Sequence, residues 1–211
     1  MTMRWSDAPA TYGIAALTIL VSAVLLVTGW LPAAALSAGF IPGRVDAGAV
    51  SAPVTLLPVV VTPLTATLIH GGILHLLFNT VMLVYCGKQA ERALGARGLI
   101  GLYVVGAYAA AVGQWVAGPG SVVPMVGASG AISAIVAAYA LLYGERRPKA
   151  IGPIPAGVVN VIWLAAAWVG VQLLVGAGQG NQPVAIAAHI GGFLAGLALA
   201  RPLLLWRWRG A

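Results

Sequence analysis

The sequence predicts an all-α membrane protein: a six-transmembrane-helix bundle with a partly embedded loop between helices 1 and 2. Three observations lead there. First, 61% of the 211 residues are hydrophobic and 7% charged, against about 25% charged in an ordinary soluble domain. Second, the apolar residues fall into stretches of membrane-spanning size, and a span needs about 20 of them. Third, Lys and Arg gather at every second connection between those stretches, which sets a single topology. The chain is expected to be one transmembrane domain over residues 1–211, with no room for a separate soluble domain.

The predicted spans are residues 12–36, 75–94, 99–117, 129–143, 155–175 and 185–205. The first follows Arg4 and ends at the A-x-A-like "PAAA"; its apolar run is too long for the core of a signal peptide, so it reads as a retained helix. Arg4, then Lys88, Arg92 and Arg97, then Arg146, Arg147 and Lys149, then Arg201, Arg207 and Arg209 all lie on one side, and only Arg44 on the other. Ten against one puts both termini in the cytoplasm. The even-numbered spans then run from outside to inside. The formal charge of +7 is explained by this topology, and no basic run with interleaved aromatic residues suggests nucleic acid. Cys86, the one cysteine, reads as a packing residue. The connection between spans one and two is long, rich in Pro and Gly, and moderately apolar; it fits an interfacial or partly embedded outer loop. No internal repeat suggests a transporter.

The polar residues gather at one depth. His75, Asn79, Ser129 and His189 all lie in the outer halves of even-numbered spans. Asn79 stands four residues after His75 and shares its helix face, whereas His70 need not. Span four has fifteen residues and rises only about 22 Å against a hydrocarbon core of about 30 Å. Ser129 is therefore expected below the outer surface, at the foot of an irregular segment "GPGSVVPMVGA" that dips into the bilayer. Such backbone needs protein or a water-filled cavity around it. A serine at that helix N-terminus meets free N–H groups and the positive end of the helix dipole.

Taken singly, each residue has a plainer reading. Ser129 suits an N-cap; an intramembrane His or Asn suits an interhelical bond or an ion path; Gly127, Gly130, Gly192 and Gly196 suit close packing. Together they supply a serine nucleophile, a base and oxyanion donors. The four acids are Asp7, Asp46, Glu91 and Glu145, none in the outer half of a span, so a Ser-His dyad rather than a triad is available. A zinc site of His70, His75 and His189 would lack a carboxylate base and leave Ser129 and Asn79 without a role. A carrier would need polar residues reaching the inner side. No metal and no cofactor is expected.

In "HGGILHLLFN" (70–79), "GASG" (127–130) and "AHIGGFLAG" (188–196), in that order on spans two, four and six, the chain resembles the rhomboid intramembrane serine proteases of the basic six-span type. "ERALG" (91–95) adds to the likeness, with an acid that supports structure in that family. The resemblance implies that Ser129 is the nucleophile and His189 the general base. It makes His75 and Asn79 oxyanion-stabilising, beside the Ser129 backbone N–H. His70, Gly127, Gly130, Ser133, Gly192 and Gly196 then have supporting roles, the two last letting span six approach span four. The implied partners are the lipid bilayer and single-span or polytopic membrane-protein substrates, cut near the outer end of a transmembrane segment, typically after a small residue. A bacterial inner-membrane location fits the Ala/Gly/Val-rich composition and compact layout. The same fold also serves inactive, client-binding relatives, which generally lack the serine or histidine present here.

Two departures stand out. Where many members carry Trp-Arg in the first loop, this chain has Val61-Thr62-Pro63; where many have an aromatic residue one turn after the serine, it has Ser133. The i, i+4 spacing predicts that Ser133 replaces the lost stacking with a hydrogen bond to the second nitrogen of His189, directly or through water.

Overall fold

A computed structural model describes residues 7–47, 53–143, 149–178 and 185–209. Their main helices are α1 (Pro9–Thr28), α2 (Leu31–Ala38), α3 (Gly43–Ala47), α4 (Thr62–Thr65), α5 (Ile73–Ala117), α6 (Ser129–Tyr143), α7 (Ala156–Gly178) and α8 (Ile186–Trp208), with 3-10 turns on both sides of α4. Among the described residues α1, α5 and α8 are long and apolar enough to cross a membrane, and α6 and the Ala156–Trp168 stretch of α7 are shorter apolar helices. Large side chains such as Leu20, Val24, Phe78 and Val112 stand exposed along α1 and α5. A water-soluble monomer rarely presents so much apolar surface, whereas a lipid-facing one must. The chain is an integral membrane protein.

Most helix ends fall within about three residues of the expected ones; two features differ more. The first span ends at Thr28 rather than running to 36, because Gly29 caps it in the left-handed region (φ 74°) and α2 restarts with Pro in its first turn. Predicted spans two and three join in α5, which breaks at Gly95; its φ of 77° and ψ of 165° are not helical. The break divides α5 into two arms.

The N-terminus of α1 is capped from a distance. Pro9 begins it and has no N–H to satisfy. The next two donors, Ala10 N and Thr11 N, both bond the carboxylate of Glu91 at 2.9 and 2.8 Å, and the Thr11 hydroxyl adds a third bond at 2.7 Å. Glu91 is buried, so its charge is held by these donors and by the positive helix end. Replacing Glu91 with Ala should destabilise the protein by about 2 kcal/mol or more, seen as a lower melting temperature in detergent. An unchanged melt would mean that α1 docks without this cap.

Helix α6 is the centre of the bundle. Its residues from Gly130 to Ile135, with Ala137 and Ala138, are buried on every side, as expected for a helix surrounded by others. The first arm of α5 buries Asn79, Leu83, Cys86, Ala90 and Leu94, a stripe of three- and four-residue steps. Cys86 is thus a core residue. Helix α8 lies against both α5 and α6, while α7 touches the bundle through a small cluster of Trp168, Ala137 and Phe193.

Candidate active site

Ser129 is the first residue of α6, and what precedes it is irregular backbone whose polar groups are satisfied by the loop between α1 and α5. Phe40 and Met125 exchange two backbone bonds (3.0 and 2.7 Å), Gly43 N bonds Ser121 O at 2.8 Å, and Gly127 N bonds Ala66 O at 2.9 Å. That loop is itself fixed: Tyr108 Oη donates to Val60 O, Trp115 Nε1 to Asp46 Oδ2, Thr65 Oγ1 to Ala38 O and Arg44 to Leu57 O. Descending backbone is thus covered by protein, one of the two environments that tolerate it in a membrane. The Thr62–Thr65 helix occupies the stretch where the Trp-Arg pair is missing.

The first helical bond of α6 leaves Ile132 N for Ala128 O at 2.9 Å. The N–H groups of Ser129, Gly130 and Ala131 come before it, as donors at the positive end of the helix. Ser129 is half-buried and adjoins a small, partly open pocket walled in part by Thr67, Ala107, Met125, Gly127 and Ala188. The hydroxyl of Ser129 lies 2.7 Å from Nε2 of His189, within the reach a hydroxyl and a general base require.

Glycines make this contact possible. A Cβ on Gly192 would overlap the carbonyl oxygen of Gly130, and one on Gly196 the carbonyl oxygen of Ala134; on the far side, a Cβ on Gly130 would overlap the Cβ of Ala110. The turn-spaced pair on α8 lays its backbone directly on α6, bringing His189 to Ser129. Gly192→Val should drive the two helices apart and reduce activity by about 10²-fold or more, the usual consequence of displacing reacting groups by an ångström. Gly101→Ala, with nothing within 4 Å of the added carbon, should leave it unchanged. A comparison of reporter cleavage by the two variants checks this.

His75, at the start of α5, lies over Gly127: a Cβ there would come within 2.7 Å of the imidazole. The backbone of Gly127 has φ 111°, so a side chain is excluded both by conformation and by the ring. Asn79 is buried one turn deeper and spends one N–H on the His75 carbonyl at 2.9 Å; a second amide hydrogen remains. His70 is wholly buried, meeting His75 edge-on at 4.9 Å. It joins three parts of the chain. Ala128 N donates to Nε2 at 3.4 Å, and Nδ1 is 3.0 Å from Ser22 Oγ, which gives its own proton to Leu68 O at 2.8 Å. This pattern puts the His70 proton on Nδ1 and uses both nitrogens, so His70 is a tether between α1 and the residue before Ser129.

The direct bond expected from Ser133 to His189 is not made. A serine hydroxyl has one proton, and Ser133 gives it to the Ser129 carbonyl at 2.7 Å while accepting the indole N–H of Trp168 at 2.9 Å. Nδ1 of His189 is buried with no hydrogen-bond partner among the described residues. Trp168 and Ser22 were not legible as site residues. A buried indole N–H must find a partner, but nothing in the sequence selects one Trp of seven.

Comparison with known proteins follows the same residues. The profile of the Rhomboid domain matches residues 59–206, well over half of the chain. A protein named Rhomboid protease GlpG from Yersinia pestis (strain Pestoides F) is 32% identical over 134 residues, 63% of this chain and 44% of the relative. Its namesake from Yersinia enterocolitica is 33% identical over the same shares. The chain therefore aligns with less than half the length of these curated relatives.

Proposed function

The chain belongs to the rhomboid family, and on that premise we propose that it is an intramembrane serine endopeptidase working through a dyad of Ser129 and His189. The observation that carries the proposal is the 2.7 Å approach of Nε2 to Oγ at the N-terminus of a helix only fifteen residues long. That length, about 22 Å, keeps the serine at depth instead of at the bilayer surface.

The chemistry proceeds in two halves. Ser129 Oγ attacks the scissile carbonyl carbon as its proton passes to Nε2 of His189. For Nε2 to accept, the resting proton sits on Nδ1, and the ring carries a positive charge once both nitrogens are protonated. The oxyanion is met by the Ser129 N–H, the His75 imidazole and the second amide hydrogen of Asn79. His189 then returns its proton to the leaving nitrogen, the C–N bond breaks, and an acyl-serine ester remains. Water repeats the sequence: it gives a proton to His189, attacks the ester carbonyl and frees Ser129 Oγ, which recovers the proton.

Substrates are single-span or polytopic membrane proteins. The pocket beside Ser129 is small, which supports cleavage after a small side chain. An intact helix ties its carbonyls into hydrogen bonds, so helix-breaking residues near the scissile bond favour cleavage. The Lys and Arg distribution supports six crossings with cytoplasmic termini and a site toward the outer side, within a single domain over residues 1–211. The loop from α2 to α5 is the embedded segment. The test is a reconstituted cleavage assay on a panel of single-span substrates, comparing wild type with Ser129→Ala. Serine-dependent cleavage is expected, and client binding without cleavage would instead make this an inactive member.

A further inference from the structure

Three helices meet at Ser133. Its side chain is fully buried; its Cβ would stand 3.4 Å from a Cβ on Gly192, one turn beyond His189 on α8; and its Oγ receives the indole proton of Trp168 from α7. An indole N–H only donates. Ser133 must therefore accept on that side, and its single proton is directed at the carbonyl of Ser129, 2.7 Å away. The backbone N–H of residue 133 already faces the same carbonyl in the helical pattern, so the first turn of α6 is closed by two donors from one residue. Trp168 also packs on Phe193 and Ala137, and Phe193 lies one turn after His189 on the same face of α8. One side chain thus contacts both helices of the dyad.

We propose that Trp168 is a positioning residue for Ser129, acting through the Ser133 hydroxyl. The indole fixes which way that hydroxyl points, the hydroxyl fixes the Ser129 carbonyl, and the peptide so held sets where Oγ stands relative to His189. Without the indole proton, the buried hydroxyl is free to turn, and the first turn of α6 loses one of its two closures. This assignment supplies an orienting device where the family's aromatic residue at 133 is missing, and it rests on Ser129 being the nucleophile.

The experiment compares wild type, Trp168→Phe, Ser133→Ala, their combination, and the protein with 3-benzothienylalanine in place of Trp168, which keeps the shape and loses only the N–H. Steady-state cleavage in proteoliposomes gives kcat and KM; labelling by a serine-reactive probe gives the reactivity of Oγ without a substrate. Loss of either hydrogen bond should lower kcat and the labelling rate about 3- to 10-fold, with KM within about twofold of wild type. The double variant should be no slower than Ser133→Ala, because both act through one hydroxyl. Wild-type kcat in the benzothienyl protein would overturn the proposal, whether or not Trp168→Phe is impaired by lost packing; so would effects that multiply in the double variant, or a change confined to KM. If Trp168→Phe does not fold, the benzothienyl and Ser133→Ala proteins decide alone. Cleavage that survives Ser129→Ala would instead remove the nucleophile assignment itself, a result distinct from normal kcat in the position-168 variants.

Discussion

Ser129→Ala is expected to lower cleavage of a single-span reporter by at least about 10⁴-fold, to background. The size follows from the chemistry. Alanine leaves the helix start, the free N–H groups and the pocket in place but removes the atom proposed to form the bond to the substrate. What survives is binding and oxyanion stabilisation without a nucleophile. His189→Ala should fall nearly as far, since Oγ then has no acceptor for its proton at 2.7 Å. The two losses should not multiply in the double variant, because nucleophile and base act as one unit. Cleavage by purified variants in proteoliposomes, with melting curves showing that each is folded, makes the comparison. Since Ser129 is only half-buried at the start of α6, its hydroxyl loss is expected to leave the melt nearly unchanged.

Asn79→Ala should cost about 10²–10³-fold in kcat, equivalent to about 2.7–4 kcal/mol of transition-state stabilisation. Its amide is buried one turn below His75 and bonds the His75 carbonyl, so the substitution removes a donor and also loosens the first turn of α5. These two consequences separate in the kinetics. Loss of an oxyanion donor appears in kcat with KM held, because the charge exists only in the transition state; a displaced His75 ring would also alter probe labelling of Ser129 in the absence of substrate. Equal residual activity in Asn79→Ala and Ser129→Ala would contradict the division of roles.

Much of this arrangement is legible in the residues. The fifteen-residue run from Ser129 to Tyr143 between turn-forming and charged segments matches α6 at both ends, because Gly and Pro before it and charge after it punctuate the chain strongly. Gly192 and Gly196 declare a close helix approach by their spacing, and the carbonyls of Gly130 and Ala134 are what they approach. The early end of the first span was missed because apolar residues continue past Gly29, so hydropathy alone does not mark the left-handed cap. The direct bond expected from Ser133 is absent for a different reason. Helical spacing places its hydroxyl on the Ser129 side of α6 but says nothing of α7, and the donor that decides its direction, Trp168, arrives from there. Long-range polar contacts such as Glu91 to α1 and Ser22 to His70 likewise have no local signature: each pairs residues more than forty positions apart.

Covalent labelling by a serine-reactive fluorophosphonate in detergent addresses the nucleophile most directly, because it reports a bond to one oxygen without needing a natural substrate. The expected result is one label per chain in the wild type, lost in both Ser129→Ala and His189→Ala while their melts stay close to wild type. A wild-type protein that takes no label under conditions that label an active serine protease of this family, or a label that persists in Ser129→Ala, would contradict the assignment.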